Sequence, residues 1–180
     1  MVTMKYNSQT MELEAVLQTA RQMCAAARTA PKARGIDYLE TCVLTADDLE
    51  TLATQMETLG KEHGYDFFLR DAANVRASQA VVLIGTGYHQ RGLNEGCALC
   101  RHENCVACAR EHGVCVYDPI DLGIAIGSAV SIAADQRVDN RVMFSIGQAA
   151  ASLGWPKKNC RIVTGIPLSV SKKSPYFDRK

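Results

Sequence analysis

Five of the eight cysteines in this chain fall between Cys97 and Cys115, in a stretch with little hydrophobic periodicity. Such a segment has no apolar face to bury, so a core cannot organise it, and closely spaced thiolates point instead to a soft metal. The spacing is C-x2-C-x4-C-x2-C-x6-C through Cys97, Cys100, Cys105, Cys108 and Cys115, with Gly92, Gly96 and Gly113 supplying backbone freedom around it. Four thiolates converging from one short loop suit an iron-sulfur cluster. A zinc site accepts the same ligands, although only four residues separate the two C-x2-C pairs here, against roughly 15 to 20 in common zinc ribbons. Cys100, Cys105 and Cys108 also reproduce the C-x4-C-x2-C element of plant-type 2Fe-2S centres. Small buried side chains or disulfides are the bland alternative, and they leave unexplained why the thiols gather where the chain is least hydrophobic. His89, His102 and His112 flank the cysteines and read as solvated loop side chains. Cys24, Cys42 and Cys160 lie on a helix face and in two strand patterns, where small buried side chains are expected.

The rest of the sequence is that of an ordinary globular chain. Its 180 residues, 47% hydrophobic and 22% charged, suit a single domain over 1–180 with a cysteine-rich loop at 86–119 inserted in it. A net charge of +1 offers no electrostatic footprint for nucleic acid or an anionic membrane, so neither is expected as a partner. No apolar run approaches the length of about 18 residues needed to span a bilayer, and the N-terminus lacks the basic flank and apolar stretch of a secretion signal. A cytoplasmic location is therefore expected, where thiols stay reduced and serve as metal ligands or redox groups.

Apolar spacing predicts an amphipathic helix over Met11–Arg28, broken at Pro31 and Gly35, and then a strand over Tyr38–Thr45. Thr45 is placed to cap a second helix that Gly60 can end. A short helix over Arg70–Ser78 leads into Ala80–Gly85, which is too short and too apolar for anything but a buried strand. Ile120–Ala134 is apolar nearly all round and predicts a buried central helix, with Gly123 and Gly127 allowing close packing in the core or at a dimer seam. A polar interruption at Asp135–Arg141, a helix over Val142–Leu153, a strand over Cys160–Leu168 and a basic tail complete the chain.

Several stretches carry a resemblance: AARTAPKARGID, FFLRDAANVRASQAVVLIG, GLNEGCALCRHENC, IDLGIAIGSAVSIAADQRVDNRVMFSIG, GIPLS and the terminal FDRK. They resemble an uncharacterised prokaryotic family described as containing a ferredoxin (4Fe-4S) domain, from about Met11 onward. The resemblance implies a 4Fe-4S cluster ligated by Cys97, Cys100, Cys105 and Cys115, and a role in redox or electron transfer with a partner protein. Ala98 and Arg101 stand where the family loop, C-G-x-C-G, has glycine, and Cys108 is an extra thiol. Lying one helical turn after Cys105, Cys108 is placed to face the same metal, and either to take the place of Cys115 as fourth ligand or to serve a redox role.

More distantly, the order of elements is similar to that of the flavin-dependent nitroreductases. That implies an α+β, nitroreductase-like sheet packed by helices with a long buried central helix, a homodimer, and FMN as a cofactor. The basic R-R-S-x-R phosphate element of those enzymes is absent here, which leaves Arg28, Lys32, Lys172, Lys173 and Arg179 as the cations able to approach a phosphate. On this resemblance an enzyme would be an oxidoreductase, with a flavin or small substrate beside Asp135–Arg141, though no catalytic residue is assigned. A flavin-dependent oxidoreductase and a zinc-binding structural module thus stand as alternatives to the iron-sulfur protein.

Overall fold

The computed structural model describes residues 5–177. Along the chain its elements are α1 (Ser8–Thr29), β1 (Glu40–Leu44), α2 (Asp47–His63), α3 (Asp66–Arg76), β2 (Ala80–Thr86), α4 (Cys105–Arg110), α5 (Tyr117–Asp135), β3 (Asp139–Asn140), α6 (Phe144–Ser152) and β4 (Ile162–Ser169). The four strands form an antiparallel sheet in the order β1-β2-β4-β3. Helices cover both of its faces, giving an α+β architecture.

The apolar run at Ala80–Thr86 is buried at every position because the sheet is sandwiched there. Val81 and Leu83 point into a core built with Leu52 and Met56 of α2, Phe68 of α3 and Ile146 of α6. Their neighbours Ala80, Val82 and Ile84 meet Val16, Ala20 and Met23 of α1 and Leu122, Ala125 and Ala129 of α5 on the other face. The period-two alternation of a strand thus feeds two cores from one continuous apolar sequence.

Local chemistry moves several boundaries from their expected places. α1 starts at Ser8 because Asn7 Oδ1 accepts from Thr10 N at 2.8 Å. Thr45 does not cap α2 with its hydroxyl. Its carbonyl accepts from Asp48 N at 3.1 Å, and Ala46 occupies the cap position without a side-chain bond. Gly60 does not end that helix either. It sits where a Cβ would press on Phe68, and α2 continues to His63 before Gly64 (φ 68°) takes the left-handed terminal position. The tail is not simply solvated, since Tyr176 is buried with its hydroxyl 2.9 Å from Ser78 Oγ. Burial pushes this phenol up to about 12.

α5 departs most from expectation. Leu122, Ala125, Ala129 and Ala133 are buried, but Ile120 and Ile124 are each 42% exposed. A Cβ added at Gly123 or Gly127 would meet nothing within 4 Å, so their small size serves no packing within the chain. Among the described residues, no helix is long and apolar enough to cross a membrane.

Candidate metal centre

Between β2 and α5 the chain runs through a long irregular segment holding a single short helix. Asn104 caps that helix, α4, by accepting from Ala107 N at 2.8 Å, and His112 (φ 54°) ends it as the Gly113 amide returns to Cys108 O. Cys97, Cys100, Cys105 and Cys115 line one small cavity against the start of α5. Cys115 is buried and the other three are partly exposed, so the cavity lies close to the surface.

Cys108 is on the helical turn that the spacing anticipated, yet it does not line this cavity. Its sulfur is fully buried, 3.9 Å from Gln90 Nε2, and a Cβ on Gly113 would come within 3.0 Å of it. Burial pushes the Cys108 thiol up, the Gln90 amide opposes this, and the neighbouring Cys100 thiol adds to it.

The loop backbone is shaped for close wrapping. Ala98 (φ 47°) and Arg101 (φ 63°) both adopt the left-handed conformation, at a cost of about 1–2 kcal/mol each for a residue with a Cβ. These two positions, where the resemblance implies glycine, keep a glycine-like backbone here without the glycine.

A buried ionic network ties the entrance of the loop to its exit. Asp118 and Asp121 lie three residues apart on the first turns of α5, so both face the same way. Arg91 Nη1 donates to Asp118 at 3.0 Å and to His89 O at 2.8 Å, while Nη2 donates to Asp121 at 2.8 Å. Asp118 also accepts from His89 N at 2.7 Å, and Asp121 from Ala33 N at 3.0 Å. Burial works against the charge of Arg91, but the two carboxylates outweigh it and leave its pKa above the ordinary value.

Far from being a solvated loop side chain, His89 stacks on Tyr38 with ring centroids 3.9 Å apart, and the Arg91 guanidinium lies 4.8 Å from the same tyrosine ring. Arg91 itself lines the cysteine cavity. His102 lines it too, with Nδ1 3.0 Å from Glu111 Oε2, whereas His112 is exposed. Sequence reasoning missed Arg91, Asp118 and Asp121. The available signal was two aspartates at helical spacing inside an otherwise apolar run, close after a cysteine.

The donor set fits an iron-sulfur cluster. Four thiols line a single cavity, the soft donor set that such a cluster takes. A zinc ion needs all four sulfurs about 2.3 Å from a single point. A 4Fe-4S cluster takes each of its four thiolates on a different iron. Cys24, Cys42 and Cys160 lie away from this cavity, and burial raises the pKa of each, that of Cys42 to about 11.

The residues do not fit a flavin phosphate at the turn after α1. Arg28 pairs with Asp37 at 2.6 Å, and Lys32 Nζ donates to the carbonyls of Ala27, Arg28 and Ala30 at the end of α1. Arg34 donates to Arg91 O. Lys172 is exposed, and Arg179 lies outside the described residues. The polar segment at 135–141 is a turn leading into β3, and its Arg141 donates to Tyr176 O at 2.8 Å, holding the tail rather than facing an open site.

Solved structures share this architecture. A nitroreductase of Desulfovibrio desulfuricans in complex with FMN aligns over 91% of this chain and 78% of its own, with a TM-score of 0.58 and 14% identity. A Lactococcus lactis nitroreductase in complex with chloramphenicol aligns over 89% and 79%, with a TM-score of 0.59 and 14% identity. The fold is therefore of the nitroreductase type. In sequence, residues 111–179 match the family described as "uncharacterized protein containing a ferredoxin domain", a stretch that includes Cys115 but not the three earlier cavity cysteines. A protein of Archaeoglobus fulgidus, described as an uncharacterized protein, is 40% identical, covering 98% of each chain. The chain belongs to this ferredoxin-domain family.

Proposed function

We propose that this protein holds a 4Fe-4S cluster on Cys97, Cys100, Cys105 and Cys115 and uses it to exchange single electrons with a partner protein. The observation that supports this reading best is the shared cavity, which these four thiols line and the neighbouring, fully buried Cys108 does not. The family description, which names a ferredoxin domain, favours the same chemistry. When bound, the cluster supplies one-electron oxidation and reduction. The chain supplies the thiolates, a loop able to wrap closely, and a position near the surface. Leu99 and Val106, 59% and 66% exposed, give the loop an apolar outer surface on which a redox partner can dock. The exposed stripe of Ile120, Gly123, Ile124 and Gly127 on α5 favours a homodimer. A reducing cytoplasm keeps the thiols available as ligands.

The test is to purify the protein without oxygen and measure iron, acid-labile sulfide, zinc and flavin per chain. About four iron and four sulfide per chain are expected, as the cluster stoichiometry requires. Stoichiometric zinc without sulfide would sink the reading.

A further inference from the structure

We infer that Arg91 tunes the cluster, its Nε–H donating a hydrogen bond to one of the cluster's sulfurs and favouring the reduced form. This rests on the cluster reading above, and the observations that carry it are independent of the cysteine spacing. Arg91 is a cavity-lining residue whose side chain is only 2% exposed. Both of its terminal nitrogens are satisfied by Asp118, Asp121 and His89 O. Nε is not, being buried with no hydrogen-bond partner. Thr86 Oγ1, His89 Nδ1 and Ser174 Oγ share that condition among the described residues, but Arg91 alone of the four lines the cavity.

A buried donor without an acceptor is destabilising, and sulfur in the cavity would relieve that cost. The two aspartates fix the guanidinium from the helix that begins two residues after Cys115, so the donor is held rigidly relative to one of the four thiols. Reduction adds one electron to the cluster, and an N–H donor to sulfur stabilises the more negative state. Two carboxylates against one guanidinium leave no positive charge to act at a distance. The effect therefore runs through the N–H itself, and Arg91 is a positioning and tuning residue rather than a ligand.

The experiment compares anaerobically purified wild type and Arg91→Lys by iron and sulfide content and by redox titration followed by EPR. Lysine keeps the charge opposite the aspartates but has no equivalent of Nε–H. The variant should retain its iron and sulfide while its reduction equilibrium constant falls about tenfold, or about 59 mV for a one-electron couple. An unchanged potential in a fully loaded variant would overturn the inference. Should Arg91→Lys fail to fold or to load, wild type decides the matter. Reduced protein containing arginine labelled with 15N only in the guanidinium should show a nitrogen coupling to the cluster in pulsed EPR, and absence of that coupling overturns the inference. Wild type that carries no iron and sulfide at all defeats the cluster reading instead, which is a distinct result.

Discussion

Ala98 and Arg101 show how much a single residue is asked to bear in this loop. Both hold a backbone conformation that glycine adopts freely, and each gives up about 1–2 kcal/mol to do so. That cost is tolerable where a ligated group repays it, and Cys97 and Cys100 flank the first of the two positions. Cys108 and Cys115 make the sharper contrast. Both are buried, but only Cys115 lines the cavity. Cys115→Ser should therefore lose most of the iron and sulfide, whereas Cys108→Ser should keep the wild-type content. Equal loss in the two variants would refute the ligand set. At this scale the cysteine cluster was legible because five of one reactive residue type in a short polar loop is an improbable accident. Arg91 was not, because a lone arginine in a glycine-rich loop looks solvated until Asp118 and Asp121 are known to face it.

Elements were legible where burial is periodic and obscure where it is not. β2 and the buried faces of α1 and α2 follow their apolar spacing, since a helix stripe or a fully covered strand leaves a pattern in the chain. α4 left none. It has six residues, an asparagine cap and two cysteines, and its position depends on what the loop holds. The packing of α6 on β4 was hidden as well, because it rests on the absence of side chains. A Cβ at Gly147 would overlap the Val163 carbonyl, and one at Gly165 would overlap Ile146. Gly147→Ala gains about 0.5–1 kcal/mol of helix propensity, but the overlap falls on backbone that cannot rotate away, and overpacking costs about 1–3 kcal/mol. The clash should win, with a net loss of about 1–2 kcal/mol read as a lower denaturation midpoint in urea.

For the molecule as a whole, the all-round hydrophobicity of Ile120–Ala134 led to an expectation of complete burial, and the single chain leaves a stripe of it open. Apolar composition records burial in whatever the chain finally contacts, including another copy of itself. If two copies pack along this stripe, Ile124→Asp places a carboxylate from each copy in the seam. Desolvating such unpaired charges costs several kcal/mol, so the dimer constant should weaken by at least about a hundredfold. Light scattering coupled to size exclusion would then show a monomer where wild type is a dimer. A wild-type monomer at high concentration would refute the arrangement.

Neither of the two hydrophobic clusters that sandwich the sheet draws a residue from between Thr86 and Tyr117. The body can therefore close before any metal arrives, with the thiol loop strung between two anchored ends. On the cluster reading proposed above, maturation would be a step separate from folding: machinery delivering iron and sulfide would meet a finished scaffold, and a chain that lost its cluster to oxygen would keep the body needed to receive another.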